Sequence, residues 1–107
     1  MLKHVAMWKF ADDSTPGLNR ENAIKIKAGL EELAYEVHGL LEIDVQIDPV
    51  RAADGNADIL LECLFEDREA YHGYLENPRL RAIDKLLEAC TEECLRMDFE
   101  PEETELM

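Results

Sequence analysis

Positive charge is what this chain has least of. Its 107 residues hold 11 Lys and Arg against 25 Asp and Glu, a formal net charge of −14. A surface of that sign repels phosphate backbones and anionic lipid headgroups, which argues against nucleic acid and membrane surfaces as partners. Long apolar runs are missing as well, and no stretch approaches the ~20 apolar residues of a membrane-spanning helix. The opening MLKHVAMWKFADD starts with one Lys and a His and has no long apolar run, which is not the pattern of a signal peptide. Cysteine is scarce and odd in number: Cys63, Cys90 and Cys94. The spacing of the last two is neither CxxC nor a zinc-site pattern. The expectation is three small, buried thiols in a reducing, cytoplasmic setting. No phosphate loop, nucleophile elbow or dinucleotide fingerprint occurs, and no cofactor is expected. The acidic pairs Glu31-Glu32, Glu92-Glu93 and Glu102-Glu103 point different ways on regular elements, so they read as solvated charge and no metal site is expected.

Enough is present to build a core. Hydrophobic residues make up 47 % of the chain, and its length suits one domain. Residues 1–100 are expected to form that domain, with 101–107 as an acidic, disordered tail. LKHVAMWKF alternates with period two and predicts a strand over 2–10, with Leu2, His4, Ala6, Trp8 and Phe10 on one face. DDSTPG is a turn, and Asn19 is the expected N-cap of a helix whose stripe is Ala23, Ile26, Leu30, Leu33, Ala34 and Val37. Gly39 suits the left-handed position past its end. LLEIDVQID predicts a strand with Leu41, Ile43, Val45 and Ile47 together. PVRAADGNAD is a loop, and DILLECLFE is a strand apolar on both faces. Asp67 caps a short helix to Glu76, and Asn77-Pro78 restarts a second whose stripe is Leu80, Ile83, Leu86, Leu87 and Cys90. ECLRMDFEP closes as a strand with Leu95, Met97 and Phe99 on one face.

The order β-α-β-β-α-β is the ferredoxin-like arrangement: an α+β fold, its antiparallel sheet covered by helices on one side. The other side is left bare. Val5, Met7, Leu60 and Leu64 make that bare side apolar, so a second copy is expected to cover it as a homodimer.

Three stretches resemble the stress-responsive dimeric α/β-barrel (Dabb) family: KHVAMWKFADD, FEDREAYHGYLENP and MDFE, in that order along the chain. The resemblance implies a ferredoxin-like subunit whose sheet pairs face to face with a partner's, and a pocket between sheet and helices. The family includes the plant olivetolic acid cyclase, which closes a polyketide without a cofactor, and related dimeric barrels include cofactor-free monooxygenases. By that resemblance, the cyclase's first-strand histidine matches His4 and its helix tyrosine matches Tyr74. Its catalytic base falls on Leu80, which has no proton to exchange. A further pocket histidine falls near Ile59.

Two readings stand for each candidate. His4, in an apolar row with Trp8, is either a hydrogen-bonded core residue or a catalyst. Trp8 fills space or stacks on a flat ligand. Tyr71 and Tyr74 are three apart and share a helix face, with Tyr74 either lining a pocket or packing with its hydroxyl near solvent. His72 is turned about 100° from its neighbours and is expected to be exposed. His4, Trp8, Tyr74 and Leu80 are the expected ligand-binding set, with His4 and Tyr74 as catalytic candidates. The expected function is a homodimer binding a small apolar or aromatic molecule. The alternative is a cofactor-independent cyclase, lyase or monooxygenase acting on a polyketide-like substrate.

Overall fold

The computed structural model describes residues 1–12, 15, 17–50 and 55–102, so the tail beyond residue 102 and parts of two loops lie outside the described residues. The alternating start forms β1 (Leu2–Phe10), with Leu2, His4, Ala6 and Trp8 buried on one face. Helix α1 (Leu18–Glu32) begins earlier than Asn19 would have it. Gly17, at φ 84°, takes the left-handed conformation that only glycine adopts cheaply, and it caps the helix in place of a side chain. Asn19 instead sits in the first turn and its Nδ2 donates to the Ala11 carbonyl at 3.1 Å. Ala23, Ile26 and Leu30 are buried, and the stripe continues through Leu33 and Val37. Ala34 leaves the stripe because the helix tightens into a 3₁₀ turn (Leu33–Tyr35), which rotates it into solvent. Gly39 is left-handed as expected, and a Cβ there would stand 2.5 Å from the Ala70 Cβ.

Strand β2 (Leu40–Gln46) carries a correction. Leu40 pairs with Phe65 and Glu42 with Leu64, which leaves Leu41 as the extra residue of a bulge. Leu40 therefore packs against the core while Leu41 is exposed, and Ile43 and Val45 keep the expected face. Strand β3 (Ile59–Phe65) buries Ile59, Leu61, Cys63 and Phe65. Asp67 then caps α2 (Arg68–Glu76) by accepting from the Ala70 N–H at 2.8 Å. Asn77 Oδ1 accepts from Arg79 N at 2.8 Å and Leu80 N at 3.3 Å, with Pro78 opening α3 (Pro78–Cys90). The break turns the chain so that α2 and α3 cover different parts of one sheet. Strand β4 (Thr91–Phe99) starts two residues sooner than the sequence suggests.

The sheet order is β2-β3-β1-β4, and every neighbouring pair is antiparallel. The fold is ferredoxin-like, with one core between the sheet and the helices, built from Ile26, Leu30, Leu33, Phe65, Leu80 and Leu87 among others. On the far face the register sets Leu60, Met7 and Leu95 in one row and Val5 beside Met97 in the next. Leu95 and Met97 are 68 % and 65 % exposed.

Candidate functional site

Antiparallel pairing places His4 opposite Asp98 on one side and Cys63 on the other. His4 is buried, and its Nδ1 is hydrogen-bonded to Asp98 Oδ1. The second carboxylate oxygen accepts from the Tyr71 hydroxyl at 2.9 Å. An ionised carboxylate can only accept, so the proton of this pair belongs on His4 Nδ1. Nε2 is then the ring's lone-pair nitrogen. Among the described residues it has no hydrogen-bond partner, it is not sealed away from solvent-sized space, and His4 lines a cavity of about 70 Å³.

The tyrosines differ in role. Their rings stack at 6.1 Å, as their spacing on α2 implies, and both stand over Phe65 at 5.3 and 5.1 Å. Tyr71 is half-buried, and burial followed by the Asp98 contact pushes its phenol up to about 12, so it stays a donor. Tyr74 does not keep its hydroxyl near solvent. It is fully buried and donates to the Cys63 thiol, and burial above all raises its pKa. Burial likewise pushes the Cys63 thiol up to about 12, against the opposing effect of the Tyr74 hydrogen bond. Neither group ionises near neutral pH, so this pair braces the site and supplies no nucleophile.

All four residues singled out from the sequence, His4, Trp8, Tyr74 and Leu80, line this one cavity. Leu80 and Trp8 give it apolar walls, while Asp84 and Arg96 stand where it opens. Burial raises the Asp84 carboxyl pKa, although Arg96 nearby pulls it down. Sequence reasoning missed Asp98, Tyr71, Asp84 and Arg96 as members. His72 is exposed as expected and lines a separate open groove of about 680 Å³ beside His38, Glu69 and Glu76. The three thiols are free, but only Cys63 is buried. Cys94 is exposed because β4 is an edge strand, at the border of the sheet's helix-covered side. Among the described residues, no three His, Cys, Asp or Glu side chains gather closely enough to hold a metal ion. Likewise no described helix is long and apolar enough to cross a membrane.

The family model of the stress responsive A/B barrel domain (Dabb) matches residues 2–101. No curated protein matches the chain. Among solved structures, a dimeric ferredoxin-like protein of unknown function from Bacteroides fragilis superposes with a TM-score of 0.82 at 21 % identity, covering 92 % of this chain and 94 % of that one. A hydroxynitrile lyase from Passiflora edulis gives 0.75 at 14 % identity, covering 95 % and 94 %. A Dabb-family protein from Mesorhizobium loti gives 0.67 at 15 % identity, covering 94 % and 95 %. At these identities the likeness establishes the fold.

Proposed function

The chain belongs to the stress-responsive A/B barrel (Dabb) family, and on that premise we propose that it is a homodimer whose inner cavity carries out cofactor-independent proton transfer on a compact, oxygen-bearing molecule. The observation that carries this reading is the His4 ring. Asp98 occupies Nδ1, and Nε2, without a hydrogen-bond partner among the described residues, belongs to a ring that lines the cavity. A carboxylate behind an imidazole fixes its tautomer and supports the imidazolium that forms when the ring takes a proton. In the reaction, Nε2 removes a proton from a substrate hydroxyl or an acidic C–H. The bond to the leaving group then breaks or rearranges, and the same proton returns from Nε2 to the product, leaving His4 neutral. Tyr71, bonded to the other Asp98 oxygen, keeps the carboxylate in place. That a hydroxynitrile lyase shares the fold fits chemistry of this type.

The cavity's size and lining favour this over the capture of an aromatic compound. Its volume of about 70 Å³ is less than half of the ~150 Å³ that accommodates a benzene ring. A polyketide is larger still. Leu80 in the cyclase base position removes that family mechanism, but His4 is a different imidazole approaching from the sheet. The homodimer reading rests on the apolar far face and on relatives described as dimeric. Three free thiols fit a reducing compartment such as the cytoplasm.

Turnover of small α-hydroxynitriles and β-hydroxycarbonyl compounds tests the proposal. Asp98→Asn is expected to lower kcat about 10²-fold with little change in KM, and His4→Gln to abolish turnover. Activity untouched in both variants contradicts it.

A further inference from the structure

We infer that the open end of the cavity is a carboxylate subsite, in which Arg96 holds the carboxylate of a small hydroxy or oxo acid while His4 takes its proton. The inference rests on the acid–base reading of His4 above and narrows its substrate class. Its starting point is the company the arginines keep. Arg20, Arg68 and Arg79 each lie against a carboxylate, from Asp48, Glu100 and Glu36 respectively. Arg81 and Arg96 have no such pair among the described residues; the Arg96 side chain bonds to Cys94, two residues back on the same strand, with the Asp84 carboxyl near enough to act on its charge. Of these two arginines without an ion pair, Arg96 is the one that lines the cavity, in a chain with 25 acidic residues.

Its placement suits a ligand. Arg96 and Asp98 alternate onto the same face of β4, about 6.7 Å apart at two residues of strand rise. His4 lies opposite Asp98, and Ala6 lies opposite Arg96. Ala6 is the small residue between His4 and Trp8, so no bulky neighbour on β1 fills the space beside the guanidinium. A molecule of two to four carbons spans the gap from Arg96 to Nε2, and the cavity volume admits little more. The planar guanidinium fork matches a carboxylate bidentately, which a lysine would not.

Two carboxylates stand against an incoming anion. Asp98 is already engaged by His4 and Tyr71. Among the described residues Asp84 has no hydrogen bond or ion pair of that kind, and its partial burial favours the protonated form against the pull of Arg96. Arg96 thus supplies the attraction, and Asp84 limits it.

NMR titration of the full chain with glycolate, lactate and pyruvate, beside the neutral glycolamide and lactamide, tests the inference. The acids are expected to move His4 and Arg96 side-chain resonances and to bind at least 10-fold more tightly than the amides. Arg96→Gln removes that preference without weakening amide binding, Arg81→Gln leaves it intact, and Asp84→Asn strengthens acid binding. Arg96 is exposed, so its replacement leaves the fold in place, which circular dichroism checks. Equal binding of acids and amides, with His4 still responding, overturns the carboxylate subsite while the acid–base reading of His4 survives. A preference that persists in Arg96→Gln overturns it too. Silence at His4 toward every compound overturns both.

Discussion

The two faces of β4 invert what the edge strand of a lone domain would show. Toward the helices it presents Cys94, Arg96 and Asp98; away from them it presents Leu95, Met97 and Phe99. A self-sufficient monomer would put the apolar row inside and the charged row in water. Here the polar row lies beside the cavity, and the apolar row extends a bare patch running through Met7 and Leu60. On the proposed reading, one nine-residue strand serves two functions, chemistry inward and association outward.

The contrast breaks most severely on the outer side. Met97→Lys is expected to raise the dimer dissociation constant at least 100-fold, because the unpaired ammonium must be desolvated within the proposed interface. Sedimentation equilibrium reads this directly, and an intact dimer in the variant would mean that copies associate elsewhere. On the inner side, Leu80→Ala should cost about 3 kcal/mol in chemical denaturation, since Leu80 is buried against the core and its loss leaves a hole. The same change enlarges the cavity, so tighter binding of larger acids should accompany the lost stability.

A smaller effect sharpens the comparison through pH. The folded state holds the Asp84 proton to higher pH than the unfolded chain, whose ordinary value is 3.8. The folded protein therefore binds more protons in the window just above that value. The stabilisation is complete below it and is lost as pH rises through the folded pKa. Urea melts of the wild type and Asp84→Asn across pH 3.5 to 7 should converge in shape everywhere except that window, where only the wild type declines. Parallel curves throughout would show that Asp84 is not buried enough to matter.

Much of the fold was legible because its signals are local. Period-two alternation marked β1, a short run apolar on both faces marked β3, and Asp67 and Asn77-Pro78 marked two helix starts through caps that reach only three residues along the chain. The misplacements came where local periodicity yields to backbone irregularity. A bulge flipped Leu41, a 3₁₀ turn exposed Ala34, and a left-handed Gly17 displaced Asn19 as the cap. The candidate site was legible only in part. His4, Trp8, Tyr74 and Leu80 could be named one by one, and they do meet. Asp98 was in plain view within MDFE, but the apolar alternation of Leu95, Met97 and Phe99 defined that strand. Its value lies in pairing with a residue 94 positions away, a register that no local pattern encodes. Arg96 follows from the same register, as the residue that alternates with Asp98 onto the inner face.

The central claim is that Asp98 holds the His4 proton on Nδ1 and leaves Nε2 free toward the cavity. Nitrogen-15 NMR of the imidazole ring at neutral pH measures this directly. The expected result is a neutral ring protonated on Nδ1, with that proton strongly deshielded by its bond to Asp98, and an Nε2 shift typical of an unprotonated nitrogen. A ring protonated on Nε2, with Nδ1 accepting from a protonated Asp98, would contradict the account, because no lone pair would then face a substrate.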